Sequence, residues 1–341
     1  LYSFKTSVLR ALHKGELIIG VAGGSVSVGT GCEDARKSWF KLLQEILTFG
    51  FAERGLNISV RLINVAQGAT GPDRLVLCLE EILTRPVDIL IMEYAINDSG
   101  GTWCELLIRR LHASRITPLF LETFSLKGKY PHGFGSAQMY HDTVARYYDV
   151  PIISARDALH ASFRLHPGSQ DAWFSHDNHH PSCVGHATLA RLAAGLFFTV
   201  GVRDDITGKE LDLDALPPLD LSESGVYHAF NVSSKPECSL VNGSLRKRYE
   251  SNILARKGWY VVEGPKPNIY CTSAAQGEFS IPLNCSETRL NYSAKNVKDY
   301  CQVMIGYTRS WQPLGSATVF FNASTKPALV LNSYVKEWLS E

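Results

Sequence analysis

The chain has 341 residues, 45% hydrophobic and 20% charged, the balance of a globular protein and too apolar for wholesale disorder. Its 34 basic and 33 acidic residues leave a net charge of +1, which argues against nucleic acid as a partner, because neutralising many phosphates takes a basic excess. The most apolar stretch, residues 192–200, is about half the roughly 20 residues of a membrane helix, so no membrane span is expected.

In chain order, residues 17–22 form a short apolar run ending in glycines and predict a buried strand. Trp39, Leu43, Ile46 and Gly50 recur at i, i+4, i+7 and i+11, the stripe of an amphipathic helix. Residues 57–65 predict a second strand, 74–83 a helix stopped near Pro86, and 87–94 (VDILIMEY) a continuous apolar strand. A helix over 103–112, a strand over 116–121, a helix over 136–148 and a short strand at 151–154 follow. Leu189, Leu192, Ala193, Leu196 and Phe197 mark a last helix. Repeated β-α units predict a parallel sheet covered on both faces, a three-layer α/β/α domain over 1–201. Ligands of such sheets bind at the carboxyl ends of the strands.

Residues 202–225 are acidic, contain Pro217-Pro218 and read as a linker. Beyond it, 226–341 offers short strand candidates at 258–262, 268–272, 278–282, 289–293, 302–308 and 316–322, with a turn at 311–315. That spacing predicts a smaller antiparallel β-sandwich-like domain, an accessory that a carbohydrate would suit.

Two features bear on compartment. Glycosylation sequons stand at Asn57, Asn231, Asn242, Asn284, Asn291 and Asn322, with a further one at Asn97. The cysteines number eight, and none forms a CxxC pair, which disfavours zinc-knuckle and thioredoxin-like readings. Together they point to the secretory lumen or the cell exterior. The chain begins at Leu1, the mark of a processed or trimmed sequence. Cys32 and Cys78 follow the first two glycine-rich segments; a disulfide between them would brace that region, buried thiols being the alternative.

Four segments carry chemistry. Gly23-Gly24-Ser25 follows the first strand, and a serine at the mouth of a helix can turn its own N–H toward a developing oxyanion. Residues 64–71 (NVAQGATG) follow the second strand, and Gly68, Ala69 or Gly71 is placed to supply a backbone donor. Asn97, after the strongest strand, offers a side-chain amide to the same oxyanion. Asp177-Asn178-His179-His180 precedes the last helix, and an Asp three residues before a His can bond one ring nitrogen and leave the other facing the serine. Ser25 Oγ is therefore expected within about 3.5 Å of His180. Ser27 is a weaker rival, facing differently by the alternation of the chain. His176, His179, His180 and His186 suggest a metal, but Pro181 stops a helix from running through His180 and the i, i+4 spacing of helical zinc motifs is missing. No metal or other cofactor is expected. His141 and His160 read as packing or surface residues.

In this order the segments resemble the SGNH, or GDSL-type, hydrolase superfamily over about residues 15–200. The GGS, VAQGATG and MEYAIND variants resemble a eukaryotic, algal-like branch with a β-rich appendage. The sequence departs at Gly24, where the family has Asp, and at Ala95, where it has Gly. The resemblance implies Ser25 as nucleophile, His180 as base and Asp177 as its orienting partner. It also implies an oxyanion hole of the Ser25 N–H, a donor from Gly68, Ala69 or Gly71, and Asn97. The activity it implies is a serine esterase acting on O-acyl groups, O-acetyl above all, of a carbohydrate or other small ester. An O-acyltransferase using the same residues and a non-catalytic glycan-binding protein are the alternatives.

Overall fold

The computed structural model describes residues 2–98, 101–127, 136–201 and the short strands 255–257, 259–262, 269–272, 278–280, 316–319 and 329–332. Its centre is a five-stranded sheet of β1 (Glu16–Gly23), β2 (Ser59–Asn64), β3 (Ile89–Glu93), β4 (Thr117–Glu122) and β5 (Ile152–Ser154). The order is β2-β1-β3-β4-β5 and every pairing is parallel.

Side chains alternate across a strand, so a sheet covered on both faces needs apolar residues at every position. Leu17, Ile19, Val21, Ile89, Ile91, Leu119 and Leu121 pack on one face, under Phe4 and Val8 of α1 (Tyr2–Lys14), Trp39, Leu43 and Leu47 of α3 (Trp39–Ala52) and Ala193 and Phe197 of α10 (Cys183–Gly201). Ala22, Leu90, Met92 and Phe120 pack on the other, under Leu75 and Val76 of α4 (Pro72–Leu77), Leu107 and Leu111 of α6 (Thr102–Ala113) and Val144 of α7 (Gln138–Tyr147).

The helix expected over 74–83 is two pieces. It starts earlier, with Pro72 at its first position, and breaks at Cys78, whose φ of −126° and ψ of 32° leave the helical region before α5 (Leu79–Ile82). Helices not expected from the sequence are α1, α8 (Ala155–Leu165) and α9 (Ser169–Trp173). Helix α8 starts where Ser154 Oγ accepts from Asp157 N, a cap that also ends β5.

The chain divides into two compact units, Leu1–Leu283 and Asn284–Glu341. In the first, β6 (Ala255–Lys257) pairs with β9 (Glu278–Ser280) and β7 (Trp259–Val262) with β8 (Ile269–Thr272). In the second, β10 (Ser316–Val319) pairs with β11 (Leu329–Asn332); all three ladders are antiparallel, and β11 was not expected. The linker at 202–225, the strand candidates 289–293 and 302–308 and the turn at 311–315 lie outside the described residues.

Cys32 is bonded to Cys183, which is neither the Cys32–Cys78 bridge nor the pair of buried thiols considered from sequence. The reason is a close approach of two loops. Gly31, at φ +98°, lies so near the chain at 180–181 that a Cβ on it would sit 2.3 Å from the Pro181 carbonyl oxygen. That contact brings Cys32 and Cys183, at the start of α10, to a Cα separation of 4.6 Å. Cys78 lies at the α4–α5 break, and α4 covers the other face of the sheet; it is itself disulfide-bonded. Cys104 is a buried free thiol. Because the Cys32–Cys183 bridge closes a loop spanning 151 residues, Cys183→Ser should lower stability by roughly 2–5 kcal/mol, read as a fall in thermal midpoint against the wild type under non-reducing conditions.

Candidate active site

The sheet order reverses between β1 and β3, and a crevice at the carboxyl ends of two such strands is where ligands of open α/β sheets bind. Ser25 leaves β1 at the first position of a single helical turn, α2 (Ser25–Val28), which Gly29 ends at φ +104°. Its Oγ lies 2.8 Å from His180 Nε2, and His180 Nδ1 lies 2.5 Å from Asp177 Oδ2. Residues 155 positions apart thus form one hydrogen-bonded chain, Ser25–His180–Asp177.

The Asp177 loop is built to hold a carboxylate. Oδ1 accepts from Ser175 Oγ at 2.6 Å and from the backbone N–H groups of His179 and His180 at 2.9 and 3.0 Å. Burial pushes the Asp177 pKa up, but the bonds from Ser175, His180 and His179 outweigh it and hold the group well below the ordinary carboxylate range. An ionised Asp177 at Nδ1 keeps the ring proton on that nitrogen and leaves Nε2 free to accept from Ser25. Ser27 is no rival: it is fully buried and donates instead to Glu93 Oε2 at 3.0 Å.

Asn97 follows β3 in a turn whose N–H groups at Asn97 and Asp98 donate to the Tyr94 carbonyl at 2.9 and 2.8 Å. Its side chain lies over the Cα of Gly24: a Cβ on residue 24 would stand 2.1 Å from Asn97 Oδ1 and 3.3 Å from Nδ2. The Gly at the position where the resembling family carries Asp is therefore the space that Asn97 fills. Of the three second-segment candidates, Gly68 is the one alongside the serine, its Cβ position 3.8 Å from Ser25 Cβ. The Cβ position of Gly71 meets Asp73 and the Asn97 carbonyl oxygen instead, and Ala69 takes a left-handed φ of +58°.

Of the four histidines near the last helix, His179 and His180 meet edge to face at a centroid distance of 4.6 Å, and the other two have different surroundings. His176 is exposed, and His179 Nδ1 lies 2.8 Å from Ser125 Oγ, with burial pushing the ring down to about 4. His186 is fully buried; its Nδ1 accepts from Trp39 N at 3.3 Å and its Nε2 donates to the Thr30 carbonyl at 3.1 Å. Among the described residues, the group able to offer a metal three ligand atoms is Asp98, Cys104 and His141. His141, read from sequence as a packing or surface residue, is buried among charged groups. Asn57 is exposed before β2, and the remaining glycosylation candidates, Asn231, Asn242, Asn284, Asn291 and Asn322, lie outside the described residues.

Sequence reasoning passed over Glu93. It ends the apolar strand β3, is fully buried, and accepts from Ser27 Oγ and from Thr123 Oγ1 at 2.5 Å. The signal was present: an acid inside the run VDILIMEY breaks its apolar pattern. Burial pushes its pKa from 4.5 up to about 7, against the hydrogen bonds from Thr123 and Ser27. A carboxyl with a raised folded-state pKa binds its proton more tightly folded than unfolded. Its contribution to stability is full below pH 4.5 and is lost as pH rises through about 7. Glu93→Gln removes that titration, so its thermal midpoint should fall less than the wild type's between these pH values in paired melting curves.

No family model and no curated protein sequence matches the chain. The fold is similar to that of a two-domain esterase (CEX) active on acetylated mannans, with a TM-score of 0.60 and 20% identity, over 78% of this chain and 66% of that one. The same esterase co-crystallised with mannopentaose matches with a TM-score of 0.52 and 22% identity, over 63% of this chain and 58% of that one. The chain thus spans less than two thirds of either. At these identities the likeness is one of fold.

Proposed function

We propose that the protein is a serine esterase that removes O-acyl groups, O-acetyl above all, from carbohydrate through a covalent acyl-enzyme. The observation that carries the reading is the unbroken Ser25–His180–Asp177 hydrogen-bonded chain at the carboxyl edge of a parallel sheet. In the first step His180 Nε2 takes the Ser25 proton as Oγ attacks the ester carbonyl. Asp177 stabilises the imidazolium, and the alkoxide leaves with the proton that His180 returns. In the second, His180 takes a proton from the water that attacks the acyl carbonyl, then returns it to Ser25 Oγ as the acyl–Oγ bond breaks and the carboxylic acid leaves. The Ser25 and Gly68 N–H groups and the Asn97 amide face the oxyanion that forms in each step. The order of the four segments, as in SGNH hydrolases, supports these roles, and so does the space that Gly24 leaves for Asn97.

A carbohydrate substrate is supported by the acetylated-mannan esterase of similar fold. We assign catalysis to residues 1–201 and glycan contact to 226–341, in a glycoprotein of the secretory lumen or cell exterior. The sequons and the Cys32–Cys183 disulfide support that setting.

A burst assay with a chromogenic acetyl ester, with and without sugar acceptors, tests the reading. Ser25→Ala should abolish turnover and leave the fold intact. Asn97→Ala should lower the rate by roughly 10²–10³-fold, the usual loss for one oxyanion donor. Asp177→Asn should also cause a large drop, through the wrong His180 tautomer. Wild-type rates in all three would defeat the proposal. Slow turnover in water that rises with a sugar acceptor, giving acylated sugar, would make the protein an acyltransferase. Glycan binding without any ester turnover would make it a binding protein.

Gly24 supplies a separate check. Gly24→Ala should displace the Asn97 side chain and lower kcat toward the level of Asn97→Ala. Stoichiometric labelling of Ser25 by a fluorophosphonate should survive in this variant.

A further inference from the structure

One residue beyond Asn97, Asp98 belongs to a charged cluster that takes no part in the hydrolytic steps. Asp98 Oδ2 accepts from His141 Nε2 at 2.9 Å, and Glu122 Oε1 accepts from His141 Nδ1 at 2.9 Å. The side chains are 2%, 0% and 0% exposed for Asp98, His141 and Glu122. Cys104 Sγ lies 3.2 Å from the same Nε2, and the Phe120 ring stacks on the imidazole at a centroid distance of 4.9 Å. Two acidic side chains thus bracket the ring, one at each nitrogen. Burial alone would lower its pKa, but the carboxylates of Glu122 and Asp98 raise it above the ordinary value, while burial pushes the Cys104 thiol up to about 12.

Such a cluster is a poor device for stability, because each buried ion costs several kcal/mol of hydration and apolar residues of similar volume often serve as well. What it does is fix position. His141 belongs to α7, and Ala137, just before that helix, donates its N–H to the Ala95 carbonyl at 2.7 Å. The turn at 95–98 is therefore tied to one helix at both ends, with Asp98 also accepting from Gly101 N at 3.2 Å. On the other side the Asn97 amide has no slack, since it already fills the space over Gly24.

We propose that Asp98, His141 and Glu122 form a clamp that sets the position of the Asn97 amide in the oxyanion hole. His141 is a positioning residue, acting through Asn97; the inference rests on the esterase reading. Misplacing a catalytic group by about 1 Å can cost on the order of 10²-fold in rate, so the clamp matters to chemistry more than to folding.

The test is a double-mutant cycle between the clamp and Asn97. His141→Gln, Asp98→Asn and Asn97→Ala are made singly, and each clamp substitution is combined with Asn97→Ala. Turnover of a chromogenic acetyl ester and labelling by a fluorophosphonate are measured on each protein. His141→Gln and Asp98→Asn should lower kcat by roughly 10–100-fold, less than full loss of the donor, with stoichiometric labelling and KM changed by less than about 3-fold. In the Asn97→Ala background the same substitutions should change kcat by less than about 2-fold, because the group they position is gone. Multiplicative effects would overturn the clamp, since His141 would then act on the fold at large. If His141→Gln does not fold, Asp98→Asn, which keeps the side-chain shape and an acceptor, decides alone, and wild-type kcat there overturns the proposal. One equivalent of metal in the purified wild type, lost in His141→Gln, would also overturn it and make the cluster a metal site. A wild type with neither ester turnover nor labelling fails the esterase reading and the clamp together, whereas multiplicative effects with intact labelling fail the clamp alone.

Discussion

The chain at Gly31 lies against the chain at His180 and Pro181 closely enough that residue 31 has no room for a side chain. Almost everything about the site follows from this contact. Two side chains that come from opposite ends of a domain keep one geometry only when their loops are fixed to within about 0.5 Å, and hydrogen bonds between exposed side chains do not fix them. Here the backbones touch, Cys32 and Cys183 join covalently beside the contact, and His186 spans from the Trp39 N–H to the Thr30 carbonyl. The 2.8 Å bond between Ser25 and His180 is thus held by three connections of different chemistry.

The sheet contributes a second constraint. Because strand order reverses between β1 and β3, the Ser25 and Asn97 turns emerge side by side, and their proximity is a property of topology. The polar groups just inside the site refine that placement. Glu93 lies under the nucleophile's helical turn through Ser27, and His141 stands behind the Asn97 turn through Asp98. Each is a titratable group buried at a cost; Glu93 bonds a residue two positions from Ser25, and His141 a residue adjacent to Asn97. Such buried polar contacts favour one arrangement where an apolar core tolerates several, although Glu122 keeps one oxygen, Oε2, buried without a hydrogen-bond partner.

The strands, their parallel pairing and the segments at their ends were legible because the relevant signals are local. VDILIMEY needs no partner to read as a buried strand, and an Asp three residues before a His needs none to read as a pair. The Cys32–Cys183 pairing was not legible, since the spacing of cysteines carries no information on which loops meet. His141 was missed because its partners, Asp98 and Glu122, lie on two other elements. Helix α1 was available in the apolar positions Phe4, Val8 and Ala11, and α8 in the Ser154 cap ahead of Asp157. The Asn97–Gly24 fit lay beyond one-dimensional reading, because it is a statement about empty space.

The 155 residues between Ser25 and His180 also order events in time. A ribosome adds about 5–20 residues per second, so the serine emerges many seconds before its base. The face that carries α3 is closed last, by α10, whose Phe197 ring meets Phe4 of the first helix at a centroid distance of 5.0 Å. Until the loop before that helix is in place, the Ser25 hydroxyl has no His180 ring nitrogen to bond to. The order of synthesis alone thus makes the Ser25–His180 contact one of the last to form in this part of the chain.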